Sequence, residues 1–91
     1  MKIKILQSYA EKLANQVEYI AQDKPEAAQK FRIEILAEIA KISKLPFSYR
    51  QSRYFGDANI REMIFKGYTT IFRVSEKKQE IEIFALIKWQ R

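Results

Sequence analysis

The side chains that could act on a substrate in this 91-residue chain are mainly cationic, because it contains no histidine and no cysteine. Their absence removes the usual general base at neutral pH, the usual zinc ligands and any thiolate nucleophile. Arg61, Arg73 and Arg91 lie in or beside segments rich in β-branched and aromatic residues. Arginines gathered on one open sheet face would form a phosphate clamp. The alternative is that each pairs with an acid across the strand, such as Glu62 or Glu82.

The remaining chemistry-bearing patterns are interpreted as structural. Glu34 and Glu38 have the spacing of a solvated helix face, and Glu80 and Glu82 lie two apart on a strand beside a turn. The chain has only two glycines, far apart, so a glycine-rich nucleotide-binding motif is excluded. We therefore expect no cofactor and no metal.

The charge of the chain predicts an acidic partner. Its formal net charge is +6, and residues 44–91 carry ten Lys and Arg against five Asp and Glu. Residues 44–55, here called the basic loop, interleave three cations with four aromatic side chains and contain no acid. Such a segment suits a polyanion or an acidic protein, since cations neutralise phosphates and aromatic faces stack on bases. Alternatively, the loop packs on its own domain.

The first half of the chain predicts a strand and a helical hairpin. Residues 2–6 alternate as a strand does, with Ile3 and Ile5 on one side. Ser8 and Glu11 have the spacing of a capping box, so a first helix is expected to begin there. Residues 23–26 repeat that signal, and Pro46 ends the second helix. The apolar residues that we expect to interlock between helices and sheet are Leu13, Val17, Ile20, Phe31, Ile35 and Ile39, while Ile33, Leu36 and Ala40 should widen the apolar side of the second helix.

The second half predicts three strands. Residues 60–65 and 68–74 are β-branched and aromatic runs separated by Lys66 and Gly67, a tight hairpin signal. After a polar turn at residues 76–79, residues 80–87 become wholly apolar, as in a strand inside a sheet. The order strand, helix, helix and three strands favours an α+β fold, with the helical hairpin on one face of a mainly antiparallel sheet.

The length and hydropathy of the chain limit its organisation. Ninety-one residues leave too little chain for two cores, so we expect one domain over residues 1–91. The basic N-terminal segment is too short for a signal peptide, and no apolar run approaches the roughly 18 residues of a membrane span. We therefore expect a cytoplasmic protein that does not associate with membranes.

Several blocks of the sequence carry a resemblance to a known family. The first helical stripe, then YIAQDKPEAAQKF (residues 19–31), IREMIFKGYTTIFRV (60–74) and IEIFALIKWQR (81–91), occur in the order and spacing of the RelE/ParE superfamily of toxins from bacterial type II toxin–antitoxin modules. The resemblance implies a small α+β toxin with two N-terminal helices packed on an antiparallel sheet. It also implies a cognate antitoxin that wraps the toxin.

The superfamily divides into two activities. RelE-like members cleave mRNA on the ribosome with cationic and aromatic residues of the open sheet face, and ParE-like members inhibit DNA gyrase and lack those residues. Thr69 stands where RelE-like nucleases often carry an arginine, whereas Arg91 matches their C-terminal arginine. RNA cleavage also needs a base, for which only a lysine or carboxylate of shifted pKa could serve. The resemblance therefore favours the ParE-like branch and gyrase as the target.

Two alternatives stay open at this point. One is a ribosome-dependent mRNA endonuclease, whose charge would come from Arg61, Arg73, Lys88 and Arg91. The other is a non-toxic RNA- or protein-binding module on the same scaffold. For a toxin, we expect an acidic, partly disordered antitoxin to add a helix or strand, using the basic second half and an apolar open sheet face that bears Ile71 and Trp89. The residues expected to contact a partner or nucleic acid are Arg50, Arg53, Arg61, Ile71, Arg73, Trp89 and Arg91.

Overall fold

The computed structural model describes residues 1–89, which form a helical hairpin packed on a four-stranded sheet. The order of elements is the predicted one, and the α+β assignment is confirmed. The strand order across the sheet is β1-β4-β3-β2; β1 runs parallel to β4 and the other pairs are antiparallel. The elements are β1 Lys2–Ile5, α1 Gln7–Ala21, α2 Pro25–Lys41, a 3₁₀ turn at Pro46–Ser48, β2 Ile60–Phe65, β3 Tyr68–Ser75 and β4 Glu80–Lys88.

The predicted helix caps are wrong. Leu6, in extended conformation, occupies the N-cap position of α1, because its amide still donates to the Ile83 carbonyl (3.0 Å) where the β1–β4 pairing ends. Ser8 lies inside the helix, and its hydroxyl donates to the Phe84 carbonyl (3.2 Å) instead of capping. At α2 the N-cap is Lys24, without a side-chain cap, and Pro25 opens the helix as predicted. Both helices therefore begin without a capping box.

The sheet contains a tight turn, between β2 and β3, and an irregularity, a bulge in β4. Lys66 (φ 48°) and Gly67 (φ 81°) both adopt left-handed conformations, as a two-residue hairpin between β2 and β3 requires. The β3–β4 register shifts between Ile71 and Phe72, where β4 contains one extra residue. The predicted hairpin is confirmed, and β4 lies between β1 and β3 inside the sheet as predicted.

The core lies between the helices and one sheet face. Four of the predicted core residues are buried, whereas Val17 and Ile20 pack against the cluster from its rim. The Phe31 ring lies 4.8 Å from that of Tyr68, measured between centroids. The buried Tyr9 hydroxyl forms a 2.8 Å hydrogen bond with the Thr70 hydroxyl, so both polar groups are satisfied. The fully or nearly buried members of the predicted core are Leu13, Phe31, Ile35 and Ile39.

The predicted width of the apolar side of α2 is partly wrong. Ile33 is 62% exposed and Ala40 is exposed, and only Leu36 is partly buried. α2 contacts α1 and the sheet through one narrow stripe, and residue 33 lies on the far side of the helix from it. No helix among residues 1–89 is long and apolar enough to cross a membrane.

Candidate functional site

The candidate cations do not lie together. Arg61 is paired across the strand with Phe72 on the helix-facing side, whereas Arg73 is paired with Ile60 on the opposite side, here called the outer face. The Lys88 ammonium lies 5.4 Å from the centre of the Tyr19 ring of α1, on the helix side. A clamp built from these residues is therefore not formed. Arg91, also predicted as a site residue, lies outside the described residues.

Arg61 ties together two parts of the connection between α2 and β2 through hydrogen bonds to backbone carbonyls. Its Nε donates to the Ala58 carbonyl (2.8 Å), and its Nη1 donates to the Tyr49 carbonyl (3.0 Å) and weakly to that of Phe47 (3.4 Å). Its guanidinium also lies 4.9 Å from the centre of the Phe47 ring. These contacts satisfy backbone carbonyls of the connection, and they give Arg61 a structural role.

Arg73 pairs across the strand with Glu82, which confirms the structural alternative for this residue. Its Nη1 lies 3.4 Å from Glu82 Oε1, and its guanidinium lies 5.0 Å from the centre of the Phe84 ring. The Phe84 ring in turn meets Phe55 edge to face, 5.7 Å between centroids. Arg73 thus supports the aromatic contact that fixes the end of the basic loop on the outer face.

A buried carboxylate anchors the basic loop. The Glu62 side chain is fully buried, and its Oε1 accepts hydrogen bonds from Arg50 Nε (2.7 Å) and Arg53 Nε (3.3 Å), with Arg50 Nη2 in ion-pair contact at 2.7 Å. Its Oε2 accepts from the Ser52 hydroxyl at 3.2 Å. The structural alternative names Glu62 as a partner for an arginine across the strand, and that expectation is wrong; the adjacent Arg61 points to the opposite face of the sheet. Glu62 pairs instead with two arginines of the loop, which stay about half exposed.

The basic loop packs on its own domain, as the structural alternative predicts. The Ser52 amide donates to the Ile60 carbonyl (2.8 Å) and the Glu62 amide to the Arg50 carbonyl (3.0 Å), which extends the sheet beyond β2. Ile71, in the centre of the outer face, is only 1% exposed. The prediction of an open apolar face at Ile71 is therefore wrong, because the loop and neighbouring side chains cover the centre of that face.

One end of the outer face stays accessible. A cleft of about 250 Å³, here called the outer cleft, lies beside the β2–β3 turn. Trp89 is 59% exposed and Ile64 is 54% exposed, so the predicted exposure of Trp89 is confirmed. Thr69, at the position where the resemblance places a nuclease arginine, is a buried part of the cleft lining. The outer cleft is lined by Arg53, Ile64, Gly67, Thr69 and Trp89.

A second apolar depression was missed by sequence reasoning. A groove of about 520 Å³, here called the helix groove, lies between α1, α2 and the end of β1. Ala10 and Ala14 are exposed, although their three- and four-residue spacing assigns them to the apolar stripe of α1. Because their side chains are small, a channel stays open above them between the two helices. Two alanines in the apolar stripe of α1 are therefore the feature of the sequence that could have predicted the groove. The groove is lined by Ile5, Ala10, Leu13, Ala14, Val17, Glu18, Arg32 and Leu36.

The shifted pKa values of four side chains all favour the ordinary protonation state of the group at neutral pH. Burial raises the pKa of Tyr9 and of Tyr68, which keeps both phenols protonated. The hydrogen bond from Lys66 (2.8 Å) lowers the pKa of Glu34, and the bond to Glu38 (2.6 Å) raises the pKa of Lys41. None of these four groups becomes a neutral-pH base. Within residues 1–89, His, Cys, Asp and Glu side chains form no group of three or more able to hold a metal ion.

Comparison with known proteins gives a family and a fold. The family described as "ParE toxin of type II toxin-antitoxin system, parDE" matches residues 3–91. A solved structure described as the chromosomal ParDE TA system from P. aeruginosa superposes with a TM-score of 0.81 at 18% identity, covering 99% of this chain and 97% of the other. No curated protein matches the sequence. The structural likeness confirms the strand, two helices and three-stranded meander as a shared fold.

Proposed function

Because this chain belongs to the ParE toxin family of type II toxin–antitoxin systems, we propose that it arrests growth by inhibiting DNA gyrase and that its antitoxin neutralises it. The observation that carries the proposal is the dispersal of the cations that RNA cleavage would need. Arg61 binds backbone carbonyls and Lys88 faces α1, on the side of the sheet opposite Arg73. Transition-state stabilisation requires positive groups aimed at one developing charge, and these residues do not converge.

The position of Thr69 supports the same choice. Its side chain is buried in the wall of the outer cleft, where the nuclease branch would place a catalytic arginine. A threonine hydroxyl is neither a cation nor a base at neutral pH. Inhibition by binding needs no such group, so a toxin that acts on a protein target is compatible with this site.

The helix groove supports binding of the antitoxin. It is apolar along most of its length, and Glu18 and Arg32 offer charge at its sides. An amphipathic helix that folds on binding suits such a groove, since its apolar face replaces water on the exposed alanines. We propose that an acidic, partly disordered antitoxin places one helix in this groove.

The proposal is tested by expression with and without the antitoxin and by a supercoiling assay. We expect induction of the chain alone to arrest growth, co-expression of the antitoxin to restore it, and the purified toxin to block gyrase supercoiling. Ala14→Glu, which puts a charge into the helix groove, should weaken antitoxin binding by about tenfold or more, while Ala37→Glu on the exposed side of α2 should not. Unchanged growth on induction would favour the non-toxic module.

A further inference from the structure

We infer that the outer cleft is the surface through which the toxin contacts gyrase, by receiving an apolar side chain that has a carboxylate beside it. The inference rests on the proposed function. Ile64 and Trp89 present exposed apolar surface on either side of the cleft, and its lining is mostly apolar. Partly exposed aromatic and aliphatic side chains around a pocket are typical of the residues that dominate protein binding energy.

The lining is held in place before any partner arrives. Ile64 and Thr69 are directly opposite one another on β2 and β3, so their spacing is fixed by the sheet. The Trp89 amide donates to the Gly67 carbonyl (2.7 Å), which ties the backbone beyond β4 to the hairpin turn. A site on paired strands loses little conformational entropy on binding, which raises the affinity available from a small contact.

Arg53 supplies the charge at this cleft. Its Nε is held by the buried Glu62 carboxylate (3.3 Å), and about half of its side chain remains exposed. A guanidinium oriented in this way can donate hydrogen bonds to a partner carboxylate without first losing the conformational freedom of a surface arginine. The cleft therefore combines an apolar pocket with one oriented cation.

The charge distribution along the chain favours an acidic partner for the segments that line the outer cleft. Residues 7–41, which contain both helices, carry five Lys and Arg against six Asp and Glu, whereas the rest of the chain carries twelve against five. The positive surplus therefore lies outside residues 7–41, and it would speed the encounter with an acidic protein surface. The helix groove and the outer cleft have no lining residue in common, so the proposed target and antitoxin sites are separable.

Two matched pairs of variants test the inference. Ile64→Ala and Ile33→Ala remove the same atoms from isoleucines of similar exposure, the first at the cleft and the second on α2. Trp89→Ala and Tyr19→Ala do the same for exposed aromatic residues. We expect Trp89→Ala to raise the toxin concentration for half-inhibition of purified gyrase by about tenfold or more and Ile64→Ala severalfold, with both controls within about twofold of wild type. Antitoxin affinity and melting temperature should not change in the cleft variants.

Other results of the gyrase, antitoxin and DNA-binding measurements would each show which claim is wrong. If wild type inhibits gyrase and both cleft variants inhibit it equally well, the cleft inference is overturned and the proposed function stays intact. If the wild-type toxin does not inhibit gyrase, the proposed function and this inference are overturned together. Loss of antitoxin affinity with unchanged gyrase inhibition makes the cleft an antitoxin contact. Weakened binding of the variants to a short DNA duplex without gyrase makes it a nucleic-acid contact, and either result overturns the inference.

Discussion

Replacing Arg50 with alanine should release the basic loop from the outer face. Arg50 supplies one of the three hydrogen bonds that reach the fully buried Glu62 carboxylate, from Nε at 2.7 Å, and its Nη2 forms an ion-pair contact with the same oxygen, also at 2.7 Å. Removing one partner of a buried ion pair costs about 3–5 kcal/mol when the charge is left uncompensated. Arg53 and Ser52 remain here and Arg50 is half exposed, so we expect about 2–3 kcal/mol, a large part of the roughly 5–9 kcal/mol of a domain this size.

Urea unfolding and amide exchange measure this effect. The Arg50→Ala variant should lose stability without losing its helices, and the amides of Ser52 and Glu62, which pair across the loop and β2, should exchange faster than those of β3. A cycle with Glu62→Gln should show a coupling above about 1 kcal/mol between the two sites. Lys12→Ala, an exposed cation of α1, is the control and should change stability by less than about 0.5 kcal/mol. Arg50→Ala as stable as that control would refute the assignment of Glu62 as the anchor.

Three further predictions concern the core and the turn. Phe31→Ala should cost about 3–5 kcal/mol and lower the melting temperature by more than about 10 °C; a melt within a few degrees of wild type would refute the placement of Phe31. Burial raises the pKa of Tyr9, so its stabilisation is present below pH 10 and is lost above it; the difference in stability between wild type and Tyr9→Phe should shrink there, and a constant difference across pH 9–11.5 would contradict this. Gly67→Ala should lower the stability by about 1 kcal/mol, measured by thermal melting. Gly67 has φ 81° and free space around it, so the cost comes from backbone strain and not from a clash; an unchanged melting temperature would contradict this strain.

The sequence predicts the order and type of the elements because their signals are local. The hydrophobic periods of the helices and strands agree with the packing that forms, and the Lys66-Gly67 turn fixes the β2–β3 register. The helix caps could not be predicted as well, because the alternative partner of the Ser8 hydroxyl lies on β4, far along the chain. The sequence predicts too wide an apolar side for α2, because Ile33 is apolar and its exposure depends on what packs against the helix.

The candidate site was harder to predict because it depends on contacts between distant segments. Cationic residues of the second half were identified, but their partners could not be read from spacing. Glu62 sits next to Arg61 in sequence and binds Arg50 and Arg53 in space, which depends on the path of the basic loop. Ile71 was expected on an open face because the covering loop has no regular pattern. At this face, the exposure of Trp89 and the cross-strand pairing of Arg73 with Glu82 agree with what the sequence predicts.

The central claim, a toxin that acts on gyrase rather than on mRNA, is tested most directly by giving one purified sample both substrates. We expect gyrase with plasmid DNA to accumulate protein-linked cleavage complexes, and mRNA on translating ribosomes to stay intact. Cleavage of that mRNA only when ribosomes are present, abolished by Arg91→Ala, would contradict the account and move the chain to the nuclease branch.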